Sequence, residues 1–321
     1  MSVATTGAAC ALLGSPAPGL SAHVSAVPGL SALASAVPGL SAPGAGGGVP
    51  SAQGVETSVA SGGAVEVTGW LLLLFAVVGL AAGFIDAVVG GGGLIQVPAL
   101  LLIPGIAPVQ ALGTNKLGSI MGVSTSSLTY YRRLHPDLRT AAPMALVAFL
   151  AAIGGAALAF HLPGEALQPL IVVALILVAV HVLTKPKLGQ ATNLRWSGNQ
   201  HYGMAVLVGA GVGFYDGFLG PGAGSFFVIG LVSVLGYAFL PATALAKMVN
   251  FATNVGALVF FIPSGAVLWQ VGLVMGVGNV IGAYLGARTA VARGSRFVRV
   301  AFVVVVSVLI VKLVWDMLHA A

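Results

Sequence analysis

Two aspartates, each followed by a glycine-rich run, are the residues of this chain best placed to do chemistry. Asp86 precedes Gly90-Gly91-Gly92-Gly93 inside an apolar run that begins at Trp70, and Asp216 precedes Gly220-Pro221-Gly222-Ala223-Gly224-Ser225. Asp216 stands 130 positions after Asp86, and the flanking residues keep an offset of 130 or 131. Both features are costly in lipid. A carboxylate near the bilayer centre costs about 2.5–3.5 kcal/mol on insertion scales, and a glycine run gives up helix, so its freed backbone needs new partners or a cavity. A costly feature that recurs points to a site.

The chemistry on offer is anion binding with an ionisable partner. The arms that follow Gly91, Gly92 and Gly93, and Gly222 and Gly224 with Ser225, would begin with unpaired amides at the positive end of a helix dipole. Two such ends facing each other make an anion site. Polar residues gather in the next span as Thr114, Asn115, Lys116, Ser119, Ser124 and Thr125, and the second half answers with Lys247, Asn250, Thr253 and Asn254. Asn250 and Asn254 are four apart and share a helix face. Asp86 and Asp216 either couple a proton or hold the breaks in place. Lys116 and Lys247 read equally well as side chains that snorkel to an interface. His135, His161 and His201 fall at segment ends and read as solvated, while His181 lies inside a segment without a visible partner.

The elements that must position these residues are membrane spans. Of 321 residues, 58% are hydrophobic and 6% charged, against about 25% charged in soluble domains. The mean hydropathy is +1.05. The chain is therefore expected to be an all-α polytopic membrane protein, with the lipid bilayer as its partner and no soluble catalytic domain. The net charge of +6 sits in short loops, the positive-inside pattern, so no nucleic acid is implied. One cysteine, Cys10, excludes disulfide frameworks and cysteine metal clusters; no metal and no cofactor are expected.

Apolar segments are expected at about 70–89, 94–103, 109–130, 140–160 and 166–184, then at 202–219, 225–240, 243–262, 266–288 and 297–318. As a helix, 94–103 would rise only about 15 Å, half of a ~30 Å core, so it reads as the return arm of a glycine-broken hairpin. The two sets align with Lys116 on Lys247, Ser119 on Asn250, Gly155 on Gly286 and Lys185 on Asp316. This is an internal duplication: a first repeat over 69–188, a cytoplasmic linker over 189–200 and a second repeat over 201–321. Residues 1–68, rich in Ala, Gly, Ser and Pro with a ten-residue Pro-Gly-Leu-Ser-Ala period, are expected to be a disordered tail.

Arg132, Arg133 and Arg139, then Lys185, Lys187 and Arg195, then Arg288, Arg293, Arg296 and Arg299 form three basic clusters, whereas Ile262-Pro263-Ser264-Gly265 is uncharged. Placing all three clusters in the cytoplasm requires an odd number of crossings per half, which inverts the halves. Each half would be a broken hairpin plus three spanning helices. A parallel duplication is the alternative. Inverted repeats with interrupted helices point to a secondary transporter. A passive anion channel and an intramembrane enzyme built on Ser225 are the rivals, the latter lacking a histidine base or metal partner within visible reach.

The residues assembled so far resemble the sulfite exporter TauE/SafE family. The resemblance covers about 70–318. It rests on Gly83-x-x-Asp86-x-x-x-Gly90-Gly91-Gly92-Gly93 with Pro98, on Ala111-x-Gly113-Thr114-Asn115, and on Gly213-x-x-Asp216-x-x-x-Gly220-x-Gly222-x-Gly224-Ser225. It implies a permease of the inner (cytoplasmic) membrane for sulfite, sulfonates or other small anions, with protons as coupling ion; a homo-oligomer is also allowed for. Residues 1–68 have no counterpart in the family pattern, and Leu245-Ala246 replaces Thr114-Asn115 in the second half.

Overall fold

Apolar runs of about twenty residues set the long elements, and glycines set where they stop. The computed structural model describes residues 69–167, 169, 170, 173 and 191–319, without the side chains of 299, 302, 303 and 305–319. The expectations for residues 1–68, for most of the segment 166–184, for His181, Lys185 and Lys187, and for the side chains of Arg299 and Asp316 lie outside these described residues. Every regular element described is helical: α1 Gly69–Val89, α2 Gly93–Leu101, α3 Pro108–Leu134, α4 Leu138–His161, α5 Gly198–Phe218, α6 Ala223–Gly230 with a π-helical turn Leu231–Leu235, α7 Phe239–Phe261 and α8 Trp269–His319. Gly294, at φ 74° and ψ −174°, divides α8 into arms 269–293 and 295–319, where the sequence led us to expect two segments.

α1, α4, α7 and Trp269–Val298 of α8 are long and apolar enough to cross a bilayer. α3 has the length, 27 residues, but carries Asn115, Lys116 and a run of hydroxyls. The chain is an all-α, multi-pass membrane protein. The 21 residues of α1 rise about 31 Å, a full span, whereas the nine of α2 rise about 14 Å. α2 is thus the half-length return arm expected from the glycine run. α6 has eight residues and lengthens through its π-helical turn.

The long helices pack through small residues, as close approach in lipid demands. Ala76, Leu80 and Phe84 of α1 meet Gly278, Gly282 and Gly286 of α8 in the same order. These two helices therefore run in parallel. Met144, Ala148 and Ala152 of α4 meet Gly209, Gly213 and Gly217 of α5 in the same way. Leu117 and Met121 of α3 face Gly272 and Gly276 of α8, again in parallel. α3 and α7 differ. Gly113, early in α3, lies against Phe261 at the end of α7, while Lys116 and Thr253 meet on Asp216. They pass each other in opposite directions. Each hairpin thus packs its long arm on a helix from the other set, so the two glycine breaks meet inside the protein.

Candidate functional site

The two breaks have matching geometry. Gly90 at φ 86° and Gly220 at φ 87° occupy equivalent positions, and only glycine adopts this left-handed conformation without strain. Both amides fold back onto the helix they leave, Gly90 to the Asp86 carbonyl at 2.8 Å and Gly220 to the Tyr215 carbonyl at 3.2 Å. The tips then bond to each other. The Ser225 amide donates to the Gly90 carbonyl at 2.9 Å, and the Ser225 hydroxyl to the Val89 carbonyl at 3.0 Å. Two tyrosines brace the turns, Tyr130 donating to the Ala87 carbonyl at 2.8 Å and Tyr215 to the Pro221 carbonyl at 2.6 Å. Backbone freed inside a bilayer finds its partners this way. Four amides are left over: those of Gly91, Gly93, Gly222 and Gly224 make no protein hydrogen bond among the described residues. They are the unpaired donors at the starts of α2 and α6.

Between the breaks lies a small cavity of about 20 Å³, and Gly93, Gly222 and Gly224 line it together with Asp86, Asn115, Lys116, Ser119, Asp216, Asn250 and Asn254. Its charges are cross-matched. Lys116 Nζ donates to Asp216 Oδ1 at 2.5 Å, and Lys247 Nζ donates to Asp86 Oδ2 at 2.7 Å. Each lysine thus pairs with the aspartate of the opposite glycine break. Asp86 Oδ1 also accepts from the Gly92 amide at 3.2 Å, and Asp216 Oδ2 accepts from the Thr253 hydroxyl. Lys116 is 2% and Lys247 0% exposed, so the snorkelling alternative gives way to buried pairing. A lysine here has no route to an interface and needs a carboxylate. The site holds two positive and two negative side chains, with unpaired amides as its surplus donors.

The sequence-derived residues divide accordingly. Asp86, Gly93, Asn115, Ser119, Asp216, Gly222, Gly224, Asn250 and Asn254 border one cavity. Gly91, Gly92, Thr114 and Ser225 stand outside its lining. Gly92 gives its amide to Asp86, and Thr114 turns its hydroxyl away to accept from the Leu268 amide at 2.9 Å. Ser225 joins the two tips.

A scan against family models matches the description sulfite exporter TauE/SafE over residues 74–313. The chain belongs to the sulfite exporter TauE/SafE family. The probable membrane transporter protein ORF9 of Sinorhizobium sp. is 42% identical over 254 residues, 78% of this chain and 94% of that relative. YfcA of Escherichia coli K12, also named a probable membrane transporter protein, is 36% identical over 252 residues, 78% of this chain and 92% of its own. YdhB of Bacillus subtilis 168, with the same description, is 26% identical over 219 residues, 68% and 88% of the two chains. No solved structure matches the chain. This TauE/SafE chain is a membrane transporter, and the buried cavity is its candidate substrate site.

Besides the paired lysines, sequence reasoning passed over Gln96. Gln96 is fully buried, and its Oε1 accepts from the Ser119 hydroxyl at 2.9 Å. It positions a side chain that faces the cavity. The signal was present, a single amide in the otherwise apolar return arm. The solvated reading of the histidines holds for His135 and His161, which are exposed. It fails for His201, which is 7% exposed and bonds Thr140 at 3.0 Å and Tyr237 at 3.2 Å through Nε2. The linker covers this region. Its Asn193 and Arg195 amides donate to the Gly236 and Leu235 carbonyls at 2.8 and 3.1 Å, and Trp196 Nε1 donates to Val234 at 2.9 Å. Burial raises the Tyr237 phenol above its ordinary value, which keeps it a neutral hydroxyl in that cluster.

Proposed function

We propose that this TauE/SafE protein is a proton-coupled secondary transporter of a small anion, a sulfur oxyanion or an organosulfonate, in the inner (cytoplasmic) membrane. One observation carries the reading: unpaired amides from two helix starts face a buried cavity in which two lysines are held by two carboxylates. Amides and lysines together favour a negative guest. An anion entering the cavity competes with Asp86 and Asp216 for Lys247 and Lys116. A carboxylate that loses its cationic neighbour binds a proton more readily. Anion entry and proton uptake are then coupled through the same lysine. The cross-matched pairs also tie the two breaks together, so opening a pair loosens the contact that a change of access must break.

The inverted arrangement of 69–188 and 201–321, with 189–200 on the cytoplasmic side, belongs to this reading. Its support is the opposite direction of α3 and α7, which carry the equivalent Lys116 and Lys247. Inverted repeats meeting at broken helices suit alternating access around one site.

Reconstitution into sealed proteoliposomes tests the function with sulfite, sulfate, thiosulfate, taurine, sulfoacetate and acetate as the panel. Saturable uptake of at least one sulfur anion, accelerated by an inward proton gradient, is expected. Flux that rises linearly with concentration and ignores the gradient would make the protein a passive channel instead.

A further inference from the structure

The cavity contains one group that an anion site does not need. Asn254 lines it and is 2% exposed. Its Nδ2 donates to the Asn250 carbonyl at 2.7 Å and approaches Asn250 Oδ1 at 3.1 Å. Both partners are acceptors, so the amide cannot be turned round without setting oxygen against oxygen. Asn254 Oδ1 is therefore fixed as an acceptor, and it is buried without a hydrogen-bond partner among the described residues. Leaving such a group unmatched is unfavourable, because its desolvation is not repaid. A fully aprotic anion would leave it unmatched and add repulsion between two electron-rich oxygens.

Position 254 also breaks the internal symmetry. With the offset of 131 that places Lys116 on Lys247, Asn254 falls on Val123, and Val123 lines the same cavity. The first repeat thus offers an apolar side chain where the second offers a fixed acceptor. Packing of the shared fold does not require an amide there, since valine serves the equivalent place.

We propose that Asn254 is a specificity-determining residue, and that the transported anion carries its own hydrogen-bond donor for Asn254 Oδ1. This rests on the anion reading of the site and narrows it. The donor is an O–H or N–H on a singly charged anion. It comes either from a proton on the oxyanion, as in hydrogensulfite, or from a hydroxyl or amide N–H on an organosulfonate.

The test is uptake into proteoliposomes of ethanesulfonate and 2-hydroxyethanesulfonate, which share charge and near-equal size and differ in one donor. A second arm follows sulfite on the acidic and alkaline sides of its second ionisation, with equal pH on both faces of the vesicle so that no proton gradient contributes, which separates a donor on the oxyanion from one on the substituent. In at least one arm the wild-type protein should take the donor-bearing form about tenfold better than the aprotic one. Asn254→Leu should bring that ratio close to one. Asn254→Ser, whose hydroxyl bonds the carbonyl four residues back and still accepts, should restore part of it. Equal uptake of both forms by the wild type in both arms overturns the proposal, without needing any variant. So does a preference that survives in Asn254→Leu. Uptake of none of these anions or of the wider panel would defeat the anion reading itself, and this inference with it.

Discussion

Lys116 reaches across 100 positions of sequence to Asp216 and bonds it at 2.5 Å, inside a cavity bordered by both glycine breaks. Both side chains are 3% exposed. Removing one member of such a pair strands the other charge, at a cost of about 3–5 kcal/mol. Lys116→Met and Asp216→Leu should each lower the unfolding temperature in detergent clearly. Combined, they should recover most of the lost stability, because the double variant holds no stranded charge. Transport should not recover. Recovery of transport in the double variant would reduce the pair to a structural tie.

The glycines separate into those that shape the break and those that leave room for a guest. A Cβ on Gly92 would lie 2.7 Å from Asp86 Cβ and 3.0 Å from the Ala82 carbonyl oxygen, so Gly92→Leu should damage the hairpin and the folded yield. Gly93 is different. A Cβ there would lie 3.2 Å from Pro221 Cα and 3.6 Å from Asn115 Nδ2, which is tight but bearable, and it would point into the space between the breaks. Gly93→Ala should insert and fold while raising the KM for the transported anion about tenfold, the loss expected when one close backbone contact is blocked. An unchanged KM would place the guest elsewhere.

The hairpins were legible because a run of four glycines cannot hold a helix through lipid, and α2 starts at Gly93 within a residue of where its arm was expected. The cross-matched lysines were not legible. Residue types on one span do not reveal which helix will face them, and the pairs close only when distant helices pack, over 100 and 161 positions. Thr114 misled for a related reason. It neighbours Asn115, yet the helix turns it toward the loop before α8. His201 looked solvated because it stands at a segment end, and its partners Thr140 and Tyr237 come from elements 61 and 36 positions away. Gln96 was visible as a lone amide and lacked a partner in sequence to give it a role.

The directions of α3 and α7 translate into a labelling experiment. In a background with Cys10→Ala, single cysteines at Ser197 and at Ser264 should react with a membrane-impermeant maleimide from opposite sides of intact cells or oriented vesicles. Ser197 lies in the linker that carries Arg195, so it should be protected until the cytoplasmic face is opened. Labelling of both positions from one side would leave the parallel duplication as the better arrangement.

The coupling role rests on the aspartates, and Asp86 is the better one to test. Its side chain is 14% exposed, against 3% for Asp216. Asn in its place keeps one carbonyl oxygen, for either Lys247 or the Gly92 amide, which donate to different oxygens of Asp86, while removing the titrating group. Asp86→Asn should therefore still exchange labelled anion between the two sides of a vesicle. Net accumulation should fail, because no proton enters with the anion through this carboxylate. One proton entering with a singly charged anion moves no net charge, so the pH gradient supplies the drive: about 1.7 pH units, at about 1.36 kcal/mol per unit, sustains roughly a fiftyfold concentration ratio, well within the range of a tracer assay. The wild type should build such a ratio under an inward proton gradient, and the variant should stop near unity. Accumulation by Asp86→Asn equal to the wild type would remove Asp86 from the proton path and leave it as a hydrogen-bonding brace for Lys247 and Gly92.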